Sequence, residues 1–288
     1  MFVYSPRPAT PARLRALPPG ACLYLRDALS QTQARAVAGW LEERSDATLR
    51  LEPPAFNVLP LLQGAPVRLF LGSGPPPPGL LPLERVERVT FSAGDGIAAW
   101  LRVLPGVRIV RVVLRGARFD AAQLAQASLA GCSIVEGSIV NLRALEATGL
   151  RALELRDVAV DRFDDVGALS QLRALRASAV ERVRSLSALS GHAHLRSLWL
   201  QRLPYLERLS DLLALPSLES LELVGLWQFG MLEADVLYSL PRLARASIDI
   251  GGRRKNIEFT KRLRLPPAAF FCLEREASPA DRAEAVTS

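Results

Sequence analysis

Leu195-Arg196-Ser197-Leu198-Trp199-Leu200-Gln201 and Leu218-Glu219-Ser220-Leu221-Glu222-Leu223-Val224 begin 23 residues apart and share one pattern. An apolar residue is followed by two others, an apolar residue, one other, and an apolar residue. Leu150-Leu153-Leu155 repeats it, and Leu172-Leu175-Ala177 and Leu243-Ala246-Ile248 repeat it with smaller side chains. Toward the N-terminus, Leu129-Cys132-Ile134, Ile109-Val112-Leu114 and Val86-Val89-Phe91 fit as well. Eight starts, at residues 86, 109, 129, 150, 172, 195, 218 and 243, are thus separated by 20 to 25 residues. Periods in this range mark a repeat architecture.

One unit explains the spacing physically. In a short extended segment, successive side chains point to opposite faces. Leu198 and Leu200 therefore face inward, while Trp199 and Gln201 face outward. The second half of each unit carries another apolar set, such as Leu186 and Leu189 or Leu212 and Leu215. That set folds back over the inner face of the strand. A single unit cannot bury both sets, but stacked units can, with the strands aligned as a parallel sheet.

The chain resembles leucine-rich-repeat proteins of the class with about 22–23 residues per unit, cytoplasmic bacterial type. The resemblance covers about residues 86–250. It implies an α/β solenoid with a parallel β-sheet on the concave side and short helices or turns on the convex side. The resemblance breaks at the ninth position, where the family places Asn. Here that position holds Gly94, Ala117, Gly137, Val158, Val180, Leu203, Leu226 and Gly251. Without an Asn ladder, the backbone groups of the turns need other partners, and a less regular solenoid is expected.

Solenoid ends need caps. Residues 1–20 read as an N-terminal extension, 21–85 as a cap or irregular repeats, 86–250 as the repeats, 251–274 as a C-terminal cap and 275–288 as a disordered tail. Ser30 and Gln33 have capping-box spacing ahead of the stripe Ala34, Val37, Ala38 and Leu41. Pro75 to Pro78 read as a stiff loop. Phe259, Leu263, Leu265, Phe270 and Phe271 are expected to seal the last repeat.

The formal net charge is +7, with two lysines among 36 basic residues. Such arginine bias reads as compositional, spread over a solvated surface. Three cysteines, Cys22, Cys132 and Cys272, make no disulfide framework. There is no secretory apolar region and no run long enough to span a bilayer. A cytoplasmic, soluble protein is expected, monomeric without its partner and making no use of a membrane.

Catalytic chemistry finds little support. His192 and His194 are the only histidines and lack further ligands for zinc. Asp161, Asp164 and Asp165 suit a helix N-terminus better than a cation site. Gly94-Asp95-Gly96 is a turn signal without a phosphate-loop fingerprint. No cofactor, metal or catalytic residue is expected.

The expected function is non-catalytic protein–protein interaction, as adaptor, inhibitor or regulatory subunit, through the concave strand face. Trp199 anchors that face as an outward indole, since Trp and Arg dominate binding hot spots. Arg176, Gln201, Arg202 and Glu222 are expected beside it, with Glu154 and Arg156 on the neighbouring strand and Tyr205 and Trp227 at the rim. Trp199→Ala is then expected to abolish partner capture without altering melting. The alternative is a nucleic acid or other polyanion, held by Arg88, Arg111, Arg115 and the terminal basic cluster. Aromatic residues interleaved with those arginines are not expected in the N-terminal half.

Overall fold

The computed structural model describes residues 3–4, 9–44, 46–63, 65, 67–92, 96–269 and 271–277. Gly94, Asp95, Phe270 and residues 278–288, and with them the glycine turn and most of the expected tail, lie outside the described residues. The chain divides into two compact units, residues 1–129 with 134–148, and residues 130–133 with 149–288.

The first unit opens with β1 (Val3–Tyr4), α1 (Pro11–Arg15), β2 (Cys22–Leu25), α2 (Gln31–Glu42), β3 (Thr48–Leu51) and β4 (Arg68–Leu71). β5 (Arg88–Ser92), α3 (Ile97–Val103), β6 (Ile109–Val113), β7 (Arg118–Asp120) and most of β8 (Gly131–Val140) follow. β1 to β6 pair in chain order and in parallel. The register stacks Leu23, Leu49, Leu69, Val89 and Val110, and above them Leu25, Leu51, Leu71, Phe91 and Val112. All ten are at most 4% exposed. Each buried aliphatic side chain contributes roughly 1.5–3 kcal/mol, so these two columns hold the coils together.

Of the two readings of residues 21–85, the strand pairing fits irregular repeats: β2 to β4 join β5 in one parallel sheet, and residues 3–4 already pair with β2. β2 to β4 escape the six-residue pattern because Gly20, Asp46 and Pro66 occupy its first position. Ala21, Ala47 and Val67, one residue later, bury in its stead. The unit placed at Ile109 starts instead at Val107, because Val110 and Val112 stack on Val89 and Phe91. Ile109 is consequently an outward residue. The Ser30–Gln33 capping box does form, and α2 buries Ala34, Val37, Ala38 and Leu41 as expected.

The second unit contains β9 (Ala152–Val160), β10 (Ala174–Ser178), β11 (Ser197–Gln201), β12 (Ser220–Val224), α4 (Met231–Ala234) and β13 (Arg245–Asp249). It ends with α5 (Arg253–Leu263) and α6 (Leu273–Ala277). β9 to β13 are parallel and strictly in register. Short 3-10 turns return the chain between strands and bury Leu189 and Leu212, while Leu186 and Leu215 bury beside them. This is a leucine-rich-repeat fold, with a parallel sheet on one side and short helices and turns on the other.

Regularity survives the missing Asn ladder because the turns are satisfied differently. Asp157, Ala179, Arg202 and Gly225 each take a left-handed conformation at the eighth position. Ala179 N–H donates to the Gln201 carbonyl at 2.8 Å, and Arg202 N–H to the Val224 carbonyl at 2.9 Å. The ninth position becomes an apolar column of Val158, Val180, Leu203 and Leu226, each at most 1% exposed. Gln228 Nε2 donates to the Leu203 and Leu206 carbonyls, supplying an amide where the ladder is absent.

α5 closes the last coil, with Phe259 fully buried and its ring 5.9 Å from that of Tyr238. Asn256 Oδ1 accepts from Ile250 N–H and its amide donates to the Asp249 carboxylate, tying α5 to the end of β13.

His192 lies in the core and His194 is exposed, so the two do not form a pair. Burial pushes the His192 pKa down, against a weaker opposing pull from the Val166 carbonyl. Below the unfolded value of about 6.5, the unfolded chain binds a proton that the folded chain resists. Stability from this group is therefore complete above about pH 6.5 and declines as pH falls toward the lower folded value. His192→Leu is expected to lose less of its urea midpoint between about pH 7.5 and pH 5.5 than the parent chain does. Equal losses would remove His192 as the cause.

Candidate partner-binding face

The open face of the second unit is built from alternate strand residues. Register places Glu154, Arg176, Trp199, Glu222 and Ser247 in one row across β9 to β13. Neighbours in such a row are about 4.8 Å apart. Arg156, Ser178, Gln201, Val224 and Asp249 form the next row, toward the turns. Toward the strand starts lie Ala152, Ala174, Ser197, Ser220 and Arg245.

The central row is electrostatically matched. Glu154 is 7% exposed, and its carboxylate accepts from Ser133 Oγ at 2.6 Å and lies 3.6 Å from the Arg176 guanidinium. Arg176 also donates to Gln201 Oε1 at 3.3 Å. Burial raises the Glu222 pKa, with the Arg176 charge and a Trp199 hydrogen bond opposing it. Cys132 lies beneath this row, and burial, with the Glu154 charge adding, pushes its thiol up to about 12. It is an inert core residue.

Six of the seven residues expected at the partner face come together on these rows. The seventh, Arg202, sits at the left-handed turn after β11, exposed and 3.4 Å from Asp157. Trp199 requires a larger correction. Its indole points to the open face as expected, but it is 4% exposed. The chain's own C-terminal segment covers it. Ala246 N–H donates to the Pro266 carbonyl at 2.9 Å, and Ala268 N–H to Ser247 Oγ at 3.0 Å. Trp199 Nε1 donates to the Ala269 carbonyl at 3.3 Å, and the Phe271 ring meets the indole edge-on at 5.0 Å. α6 then packs against β9.

Phe271 therefore seals the strand face, where a seal on the last repeat was expected, and Trp199→Ala now predicts loosening of this segment. Residues 275–277, expected to be disordered, belong to α6. At the rim, Trp227 is 75% and Tyr205 58% exposed, as their placement in the turns implied. Gln228 ties their two loops together.

The first unit presents a different open face. Tyr24, Arg50, Phe70, Thr90 and Arg111 share one row, and Arg68 and Arg88 are paired on adjacent strands. The Arg50 guanidinium lies 4.4 Å from the Tyr24 ring centroid and 4.6 Å from that of Phe70. Aromatic and basic residues thus do interleave in the N-terminal half, contrary to expectation. The sequence hid this because the partners lie one coil apart. Arg115, expected on this face, sits in a left-handed turn.

Among the described residues, no group of three or more His, Cys, Asp or Glu side chains is placed to hold a metal ion. No described helix is long and apolar enough to cross a membrane. Asp164 and Asp165 occupy the first turn of the 3-10 segment Phe163–Ala168.

No protein-family model matches the chain, and no curated protein matches it. Among solved structures, an internalin (inlF) from Listeria monocytogenes is similar at 13% identity and a TM-score of 0.51. The match covers 91% of this chain and 89% of that one. Internalin C2 (inlC2) from the same organism gives 18% identity and a TM-score of 0.45, over 68% of this chain and 85% of that one. The first of these likenesses supports the leucine-rich-repeat fold.

Proposed function

We propose that the chain is a non-catalytic protein-interaction module, an adaptor, inhibitor or regulatory subunit, that grips its partner on the concave strand face of the second unit. The observation that carries this reading is the row Glu154–Arg176–Trp199–Glu222, which sets charges on either side of an indole that Ala269 and Phe271 of the same chain cover. Such rows give specificity through charge, and the indole is an anchor for whatever segment lies over it. The step from fold to role is by analogy with other leucine-rich-repeat proteins.

The test uses Arg156→Glu and Gln201→Arg, since both side chains remain partly accessible. Each is expected to weaken retention of the native partner at least about ten-fold, or about 1.4 kcal/mol, with the circular dichroism spectrum unchanged. Retention equal to that of the parent chain would place the partner elsewhere.

The interleaved Tyr24, Arg50, Phe70 and Arg111 favour a second reading, a polyanion on the first unit, because single-strand binders combine such groups. It predicts that affinity for a fluorescent single-stranded oligonucleotide falls linearly with salt on logarithmic axes. It also predicts that Arg111→Glu flattens the slope. An absence of binding at low salt removes this reading.

A further inference from the structure

The second unit already holds a peptide on its open face, its own residues 265–269 and 271–277. We propose that this face is a groove for an extended, proline-containing partner segment anchored by an aromatic side chain. The C-terminal segment closes it as a displaceable stand-in. The proposal rests on the interaction reading and specifies its ligand.

The groove has a floor and an anchor. Gly131, Ala152, Ala174 and Ser220 are small and buried beneath the segment. A Cβ on Gly131 would lie 2.9 Å from the Ala277 Cβ and 3.3 Å from Leu273 Cγ, so a backbone hydrogen is what the seated helix requires. Trp199 and Arg176 rise from the next row and meet Phe271, the guanidinium carbon 5.9 Å from its ring centroid. An edge-on ring pair adds attraction beyond that of its buried area. Leu265-Pro266-Pro267-Ala268-Ala269 supplies an extended approach with two small residues beside Ser247 and Trp199. Prolines lower the entropy lost on docking such a segment.

The attachment is shallow, which is what makes it displaceable. Pro266, Pro267 and Cys272 stay exposed, and among the described side chains of the segment only Ala277 is fully buried. Its backbone meets the sheet through single hydrogen bonds at Pro266, Ala268 and Ala269. Each strand of β9 to β13, by contrast, carries a continuous ladder. Regions with few buried contacts open at small free-energy cost. Ser220 Oγ, buried beneath, has no hydrogen-bond partner. The seated segment therefore leaves one polar group that a better-fitting ligand would satisfy. A partner must overcome the tethered segment, whose effective concentration is of millimolar order for a short link.

Cys272 is exposed while Cys22 and Cys132 are buried, so bimane can be attached to the full chain next to Phe271, where the Trp199 indole is expected to quench it while the segment is seated. A synthetic peptide of residues 264–277, carrying Cys272→Ser, serves as the competing ligand. Its addition is expected to restore bimane emission, and the same peptide with Phe271→Asp is expected to leave it quenched. The full chain carrying Phe271→Asp or Phe271→Ala is expected to bind the fluorescein-labelled peptide at least ten-fold more tightly than the parent.

Failure of the labelled peptide to bind a variant whose bimane is bright, and whose circular dichroism is unchanged, overturns the proposal. So does emission that appears only in dimers by light scattering, which would make the segment an exchanged arm between two copies. If Arg156→Glu and Gln201→Arg still weaken partner retention in either case, the interaction reading stands alone. If they do not and the peptide binds, the groove stands and that reading fails.

Discussion

Leu198→Asp is expected to abolish cooperative folding of the second unit. Leu198 is fully buried in β11, stacked between Leu175 and Leu221 in the strand register. Removing its side chain alone, as in Leu198→Ala, costs about 2–5 kcal/mol through lost burial and the cavity left behind. A carboxylate there adds the cost of an unpaired charge in an apolar column, several kcal/mol more. Whole domains are stable by only about 5–15 kcal/mol. Because each coil buries its core against its neighbours, the damage spreads to both adjacent coils. Leu213→Asp is the matched control. Leu213 is 48% exposed on the opposite side of the sheet, and a change there should stay within about 0.5 kcal/mol. Urea titrations followed by circular dichroism compare the two. Similar midpoints would mean that the leucine columns do not form the core.

Trp100→Ala is expected to destabilise the first unit by about 3–5 kcal/mol. The α3 indole is fully buried, meets Phe56 edge-on at 5.3 Å and donates from Nε1 to the Gly74 carbonyl at 2.8 Å. It therefore ties the loop entering Pro75–Pro78 to the core beneath. Trp100→Phe keeps most of the apolar contact but leaves the Gly74 carbonyl without that donor. It should cost less than the alanine change and raise hydrogen exchange in the loop. A loop unaffected by both changes would show that the indole serves packing alone.

The legible part of the fold lay in the leucines from 150 to 223. There, the first, fourth and sixth apolar positions coincide with the buried columns, and the coil length follows. Ile109-Val110-Arg111-Val112-Val113-Leu114 was harder, because apolar residues fill both possible frames and only pairing with β5 chooses between them. The early coils were illegible for a different reason. Gly20, Asp46 and Pro66 break the local pattern, and burial shifts by one residue to Ala21, Ala47 and Val67.

The candidate site divides in the same way. Alternation along a strand told which side Trp199 occupies, since that property is local. What covers it was not local, because Ala269 lies 70 residues away and Leu265–Phe271 has no periodicity. One trace did exist. Ala152, Ala174, Ser197 and Ser220 share an outward position and are all small, as a surface packed against another segment requires.

Site-specific photocrosslinking tests the proposed face most directly. A benzophenone side chain is placed at Gln201, on the open strand face, or at Leu213, on the opposite side, and the chain is irradiated in its native cell. A defined covalent adduct is expected from position 201 and none from position 213. An adduct from position 213, with none from 201 while the partner is still retained, would contradict partner binding on the strand face.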